Sequence, residues 1–108
     1  MTPVRYHEAA QEELLHEIGY LELRANGLGR RFFAEVRRAE KLISQFPGLA
    51  EEIRPGIRKH ILRKFRYSLF YSTEKDGLLI LAVAHHSRRP GYWVDRVSSG
   101  EKEMEGGA

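Results

Sequence analysis

Hydrophobic positions change their period halfway along the chain. Between residues 9 and 25, Ala10, Leu14, Ile18, Leu21 and Ala25 recur every three or four positions, which predicts a helix with one apolar stripe. Asn26-Gly27 offers the left-handed residue that stops it. A second helix is predicted over residues 28–46, with Phe32, Val36, Ala39 and Ile43 on one face and Phe33 and Leu42 beside it. Pro47-Gly48 ends that helix. So short a link makes the pair an antiparallel hairpin. Ahead of it, residues 3–7 alternate Val4 and Tyr6 with Arg5 and His7, the pattern of a short strand.

After the Pro55-Gly56 turn the period falls to two. Residues 57–63 read as a strand of high polar content. Residues 67–73 place Tyr67, Leu69, Tyr71 and Thr73 on one side and Ser68, Phe70 and Ser72 on the other. Glu74-Lys75-Asp76-Gly77 has hairpin chemistry. Residues 78–84 are uniformly apolar, as in a central strand covered on both faces. One short helical turn is expected over 92–96, and residues 98–108 read as a disordered, glycine-rich tail. The predicted fold is α+β over residues 1–97: a strand, an antiparallel helix hairpin, then a three-strand antiparallel meander. The helices cover one sheet face. The other face, or its end, is left for Arg58, His60, Arg63 and the basic cluster that follows the last strand.

Composition narrows the class. At 108 residues the chain makes one domain. It has no cysteine, which excludes disulfides and thiol chemistry and fits a reducing cytoplasm. No apolar run is long enough to cross a membrane, and Met1-Thr2-Pro3-Val4-Arg5 does not open a signal peptide. The net charge of +3 is unevenly spread. Arg54, Arg58, Lys59, Arg63, Lys64 and Arg66 crowd one segment, while Glu8, Glu12, Glu13, Glu17 and Glu22 lie early. A charge run is by default a solvated face. Here the basic clusters fall in the strand-rich half, which favours an anionic partner.

The densest chemistry lies where the apolar strand meets His85-His86-Ser87-Arg88-Arg89, before Pro90, Tyr92 and Trp93. Cations and imidazoles at a strand end suit a phosphate or an acidic protein segment. His85 and His86 should point opposite ways, one inward and one outward. No carboxylate or cysteine completes a ligand set, so neither a metal nor a cofactor is expected. Tyr92 and Trp93 read first as apolar anchors, and Arg88 and Arg89 as exposed. Leu15, Tyr20, Leu28 and Phe33 lie off the main helical stripes and offer a groove for a partner helix.

The element order, together with Tyr67-Ser68-Leu69-Phe70-Tyr71, the acidic-glycine turn, Ile80-Leu81-Ala82-Val83-Ala84-His85 and Arg88-Arg89-Pro90-Gly91-Tyr92-Trp93, resembles the RelE/ParE superfamily of bacterial type II toxins. The opening Tyr6-His7-Glu8-Ala9-Ala10 through Glu13-Leu14 is similar too, and the resemblance spans residues 3–97. It implies a cytoplasmic growth-arrest toxin of a plasmid-stabilising toxin–antitoxin module. A cognate antitoxin would wrap it at Leu15, Tyr20, Leu28 and Phe33. Operator DNA would be reached only through that antitoxin, and no membrane is involved.

RelE-like members cut mRNA on the ribosome, whereas ParE-like members poison DNA gyrase. The spacing of Val83, His85, Arg88 and Pro90 is more similar to the ParE side. As a gyrase inhibitor the chain would meet its target through Arg58, Arg63, Arg66, His85, His86, Arg88 and Arg89. RNA cleavage needs a proton acceptor, a proton donor and cations for the phosphate. The resemblance offers Lys59, Arg63, His86 and Tyr92 as catalytic candidates for that alternative, a ribosome-dependent endoribonuclease. Ser68 stands where the ribonucleases carry a catalytic arginine, which favours the non-enzymatic reading. A third reading, a non-toxic basic nucleic-acid-binding domain, finds no aromatic-interleaved platform.

Overall fold

The computed structural model describes residues 2–97; the expected disordered tail lies outside them. Strand β1 (Val4–Tyr6) leads into helix α1 (Glu8–Arg24), whose first turn is capped by His7 Nδ1 accepting the Ala9 N–H at 3.0 Å. Helix α2 (Leu28–Gln45) follows after a tight link. Gly27, at φ 82°, takes the left-handed turn that few other residues adopt without strain. Glu22 then reaches across and accepts the N–H groups of Gly27 and Gly29, at 2.8 and 3.0 Å. One carboxylate thus serves the free N-terminal donors of α2. Gly29 packs its bare Cα against α1, where a Cβ would collide with the Ile18 carbonyl oxygen.

Four strands complete the chain: β2 (Glu51–Arg54), β3 (Ile57–Ile61), β4 (Tyr67–Glu74) and β5 (Gly77–His85). One helical turn at residues 94–97 ends the described part. The sheet order is β1-β5-β4-β3-β2, with β1 parallel to β5 and every other pair antiparallel. The helix hairpin carries the chain from β1 at one edge to β2 at the other, and the meander then returns so that β5 lies parallel to β1. Gly77, at φ 144°, lets β1 come close, and the Leu78 N–H donates to the Pro3 carbonyl at 2.8 Å. The α+β reading holds, but the meander has four strands, not three. Sequence periodicity misses β2 because all four of its residues are exposed. Strand β3 also stops at Ile61, short of the expected residue 63.

The sheet has two different faces. Against the helices, Leu14, Leu21, Phe32, Val36 and Ile43 pack on Leu69, Tyr71, Leu78 and Ile80. Each such buried side chain contributes about 1.5–3 kcal/mol by leaving water. On the outer face a smaller cluster forms from Ile57, Leu81, Ala82, Ala84 and Trp93, with Phe70 alongside. A bulge links the two. Phe70 pairs with Ala82 and Tyr71 with Ile80, so Leu81 is the extra residue of β5. It sets Leu81 and Ala82 in the outer cluster together, which accounts for the unbroken apolar run. No helix among the described residues is long and apolar enough to cross a membrane.

Candidate functional site

Alternation along β4 carries Ser68 and Phe70 to the outer face. Beyond β5 the chain turns at Pro90-Gly91 and folds back, so that Trp93 packs on Phe70 with ring centres 4.8 Å apart. The result is an outer-face cleft of about 340 Å³. Ser68 and Phe70 lie within it beside His86, and the Ser68 hydroxyl oxygen is 3.0 Å from His86 Nε2. Arg54, Lys59, Arg88 and Arg89 line the same cleft. Three of these cations sit over aromatic rings: Arg54 at 6.0 Å from Trp93, Lys59 at 5.9 Å from Phe70, and Arg88 at 3.9 Å from Tyr92. Among the described residues none of the four forms an ion pair. Ring faces hold cations without neutralising them. The cleft therefore presents unspent positive charge.

Its wall is anchored from behind. Strand β1 ends at Tyr6, so beyond Ile80 the edge of β5 has no strand beside it. Side chains close that edge instead. Glu13 of α1 accepts the Val83 N–H at 3.0 Å, the Tyr92 hydroxyl at 2.8 Å and two Arg96 N–H groups at 3.0 and 2.8 Å. Arg96 also donates to the Leu81 carbonyl at 2.8 Å. Burial alone would raise the Glu13 pKa, but the donors on Arg96, Val83 and Tyr92 outweigh it and hold it below its ordinary value. Burial, and then the bond to Glu13, push the Tyr92 hydroxyl up. It stays protonated, with its proton committed to Glu13.

The residues singled out by sequence divide between places. Lys59, His85, His86, Arg88, Arg89 and the ring of Tyr92 line the cleft. His85 also lines a groove on the helix side, which His86 does not. His85 turns its edge to Tyr67, 5.0 Å away, and its Nδ1 lies 2.8 Å from the Ser87 hydroxyl. Arg58 and His60, expected on the outer face or its end, lie on the helix side. Arg58 pairs with Tyr71 and His60 with Leu69, both in the helix-side core. Arg58 donates to the carbonyls of Gly48 and Ala50 and so fastens the α2–β2 connection. Burial and the nearby Arg38 charge hold the His60 pKa down. Arg63 follows β3, and its backbone N–H donates to Glu35 at 2.9 Å.

Arg66 lines a second groove, of about 520 Å³, with Tyr20, Arg24, Leu28 and Tyr67. Tyr20 and Leu28 thus share a groove. Leu15 and Phe33 do not join it; they are 64% and 39% exposed. Among the described residues no cluster of three metal-ligating side chains occurs. Sequence reasoning missed Glu13 and Arg96, which carry no spacing signal. It also missed the Ser68–His86 pair, whose signal was present: period-two alternation sends Ser68 outward, toward the outward histidine.

Comparison with known proteins places the chain's family and fold. Residues 4–90 match the family model of the ParE toxin of the type II toxin–antitoxin system parDE. Among solved structures the chain is similar to one described as the chromosomal ParDE TA system from P. aeruginosa, with a TM-score of 0.66 and 14% identity. That match covers 79% of this chain and 96% of the other. No curated protein matches the chain.

Proposed function

Since the chain belongs to the ParE toxin family of type II toxin–antitoxin systems, we propose that it arrests bacterial growth by inhibiting DNA gyrase in the cytoplasm. A cognate antitoxin holds it inactive in this reading. The target is gripped at the outer-face cleft, where Arg54, Lys59, His86, Arg88 and Arg89 converge. What supports gyrase over mRNA cleavage is the scatter of the ribonuclease candidates. Lys59 and His86 share the cleft, but Arg63 lies beside α2 and the Tyr92 hydroxyl is spent on Glu13. In the place of a catalytic arginine, Ser68 bonds to His86. Arg63 and the Tyr92 hydroxyl are thereby withdrawn from the cation and proton donor that the resemblance offered for phosphoryl transfer.

Inducible expression tests the proposal. Plasmid supercoiling and message integrity are followed in the same cells. Loss of supercoiling with intact messages is the expected result. Cut messages with normal supercoiling would overturn it. Replacing Arg88 and Arg89 by alanine should blunt growth arrest while leaving the fold intact, because both are exposed.

A further inference from the structure

The strongest unassigned feature lies away from the cleft, on the outward face of α2. Arg30, Arg37 and Lys41 stand seven and four residues apart, so they share one face of the helix. At 1.5 Å per residue the row is about 16 Å long. All three are exposed. The acidic groups nearby are already engaged. Glu40 accepts the Tyr6 hydroxyl and meets Arg37 at 3.7 Å, and Glu35 holds Arg38 at 2.7 Å. Arg30, Arg31, Lys41, Arg63 and Lys64 form no ion pair among the described residues.

A basic loop extends the row. Arg31 and Arg38 share a groove of about 470 Å³ with Arg63 and Lys64 of the β3–β4 connection. That loop is held rather than floppy. Leu62 is buried, Phe65 stacks edge-on against Phe32 at 5.3 Å, and Arg63 is tied by its backbone to Glu35. Lys64 sits between these anchors at φ 66°, the only non-glycine residue with positive φ among those described. A lysine in the left-handed region is a small, stored strain that glycine would relieve.

We infer that the α2 row and the 62–66 loop together bind the phosphate backbone of duplex DNA without regard to sequence. What favours this partner is a rigid line of cations, matched to a regularly spaced line of phosphates. Single-stranded nucleic acid needs a series of stacking platforms. Phe33, 39% exposed beside Arg37, supplies one ring, and Phe65 packs against the core. The toxin itself would then touch DNA, beyond any contact its antitoxin makes. The inference does not depend on gyrase being the target.

Fluorescence anisotropy tests it, with the full chain and a labelled mixed-sequence 20-base-pair duplex titrated at several salt concentrations. Six phosphate contacts, from Arg30, Arg31, Arg37, Lys41, Arg63 and Lys64, predict a log–log salt slope of about −5. Affinity should then fall about a thousandfold between 50 and 200 mM salt. R30A/R37A/K41A should flatten the slope by about three, and K64G by about one. K64G should also be at least as thermally stable as the parent, so weaker binding could not be blamed on misfolding. No binding at 50 mM salt would overturn the inference. So would unchanged binding in the triple variant, or loss of binding on replacing Arg88 and Arg89 instead. A triple variant that loses antitoxin capture yet keeps DNA binding would make this face an acidic-protein site and overturn it equally.

Discussion

The hydroxyl oxygen of Ser68 lies 3.0 Å from Nε2 of His86, joining β4 to the residue that follows the last strand. Ser68 is almost fully buried, so without His86 its hydroxyl would have to find another partner. The pair should therefore be energetically coupled. In a double-mutant cycle of Ser68→Ala and His86→Ala, chemical denaturation is expected to give a coupling of about 0.5–1.5 kcal/mol, the net worth of one hydrogen bond. Strict additivity would mean that the two groups are neighbours without a bond.

Glu13 is a structural carboxylate. It takes donors from one backbone amide and two side chains and joins α1 to β5 and the C-terminal turn. Removing its side chain leaves Arg96 partly buried with no counter-ion, bonded only to the Leu81 carbonyl, and the Val83 N–H without its acceptor. Glu13→Ala is expected to cost about 2–4 kcal/mol, toward the lower end of breaking a buried pair. Glu13→Gln should cost less, because it keeps an acceptor.

The same residue sets an acid limit. Glu13 and Glu35 both have pKa values held below the ordinary carboxylate value in the folded state. Their contribution is complete above the unfolded carboxylate pKa, about 4.3. It is lost as pH falls through the lower folded value, since acid then favours the unfolded chain. Thermal melts from pH 2 to 7 should show a plateau above pH ~5 and a decline below pH ~4, shallower in Glu13→Gln. Equal slopes in parent and variant would remove Glu13 from this account.

Gly29 sets the distance between the helices. An added methyl would strike the Ile18 carbonyl, a backbone group that moves only with the whole helix. Gly29→Ala gains helix propensity of about 1 kcal/mol but should still be net destabilising, since overpacking costs about 1–3 kcal/mol. A raised melting temperature would show that α1 and α2 separate more easily than their packing suggests.

Much of this fold was legible because each segment carries one clear period. Leu14, Leu21, Phe32, Val36 and Ile43 mark the helix stripes, and all are buried. Strand β4 alternates faithfully, which also decided the side of Ser68. The signal failed where no face is buried. Glu51, Glu52, Ile53 and Arg54 are all exposed, and they form a strand only because β3 offers an edge. It failed again at Arg58 and His60, whose sides follow from register with β4 rather than from their own polarity. The site was half legible. The His-Arg cluster stood out by composition, but Glu13 reaches Val83 and Arg96 across 70 and 83 residues of sequence, and no local pattern encodes so distant a contact.

Leu15 and Phe33 offer the cleanest test of how the proposed antitoxin engages the toxin. Neither belongs to the core, and Leu15 is more exposed than most leucines that serve only packing. Charge introduced there should change stability by no more than about 0.5 kcal/mol. An apolar antitoxin segment laid across the hairpin would instead meet a buried, unpaired carboxylate. Leu15→Glu combined with Phe33→Glu is therefore expected to weaken antitoxin binding by about 2–4 kcal/mol, the range of interface hot spots. Cells should still be arrested by the variant but no longer rescued by co-expressed antitoxin. Tyr20→Glu, in the separate groove beside Leu28, distinguishes two docking routes. If it alone abolishes rescue, the segment runs past Phe65 and Tyr67 rather than over the helix pair.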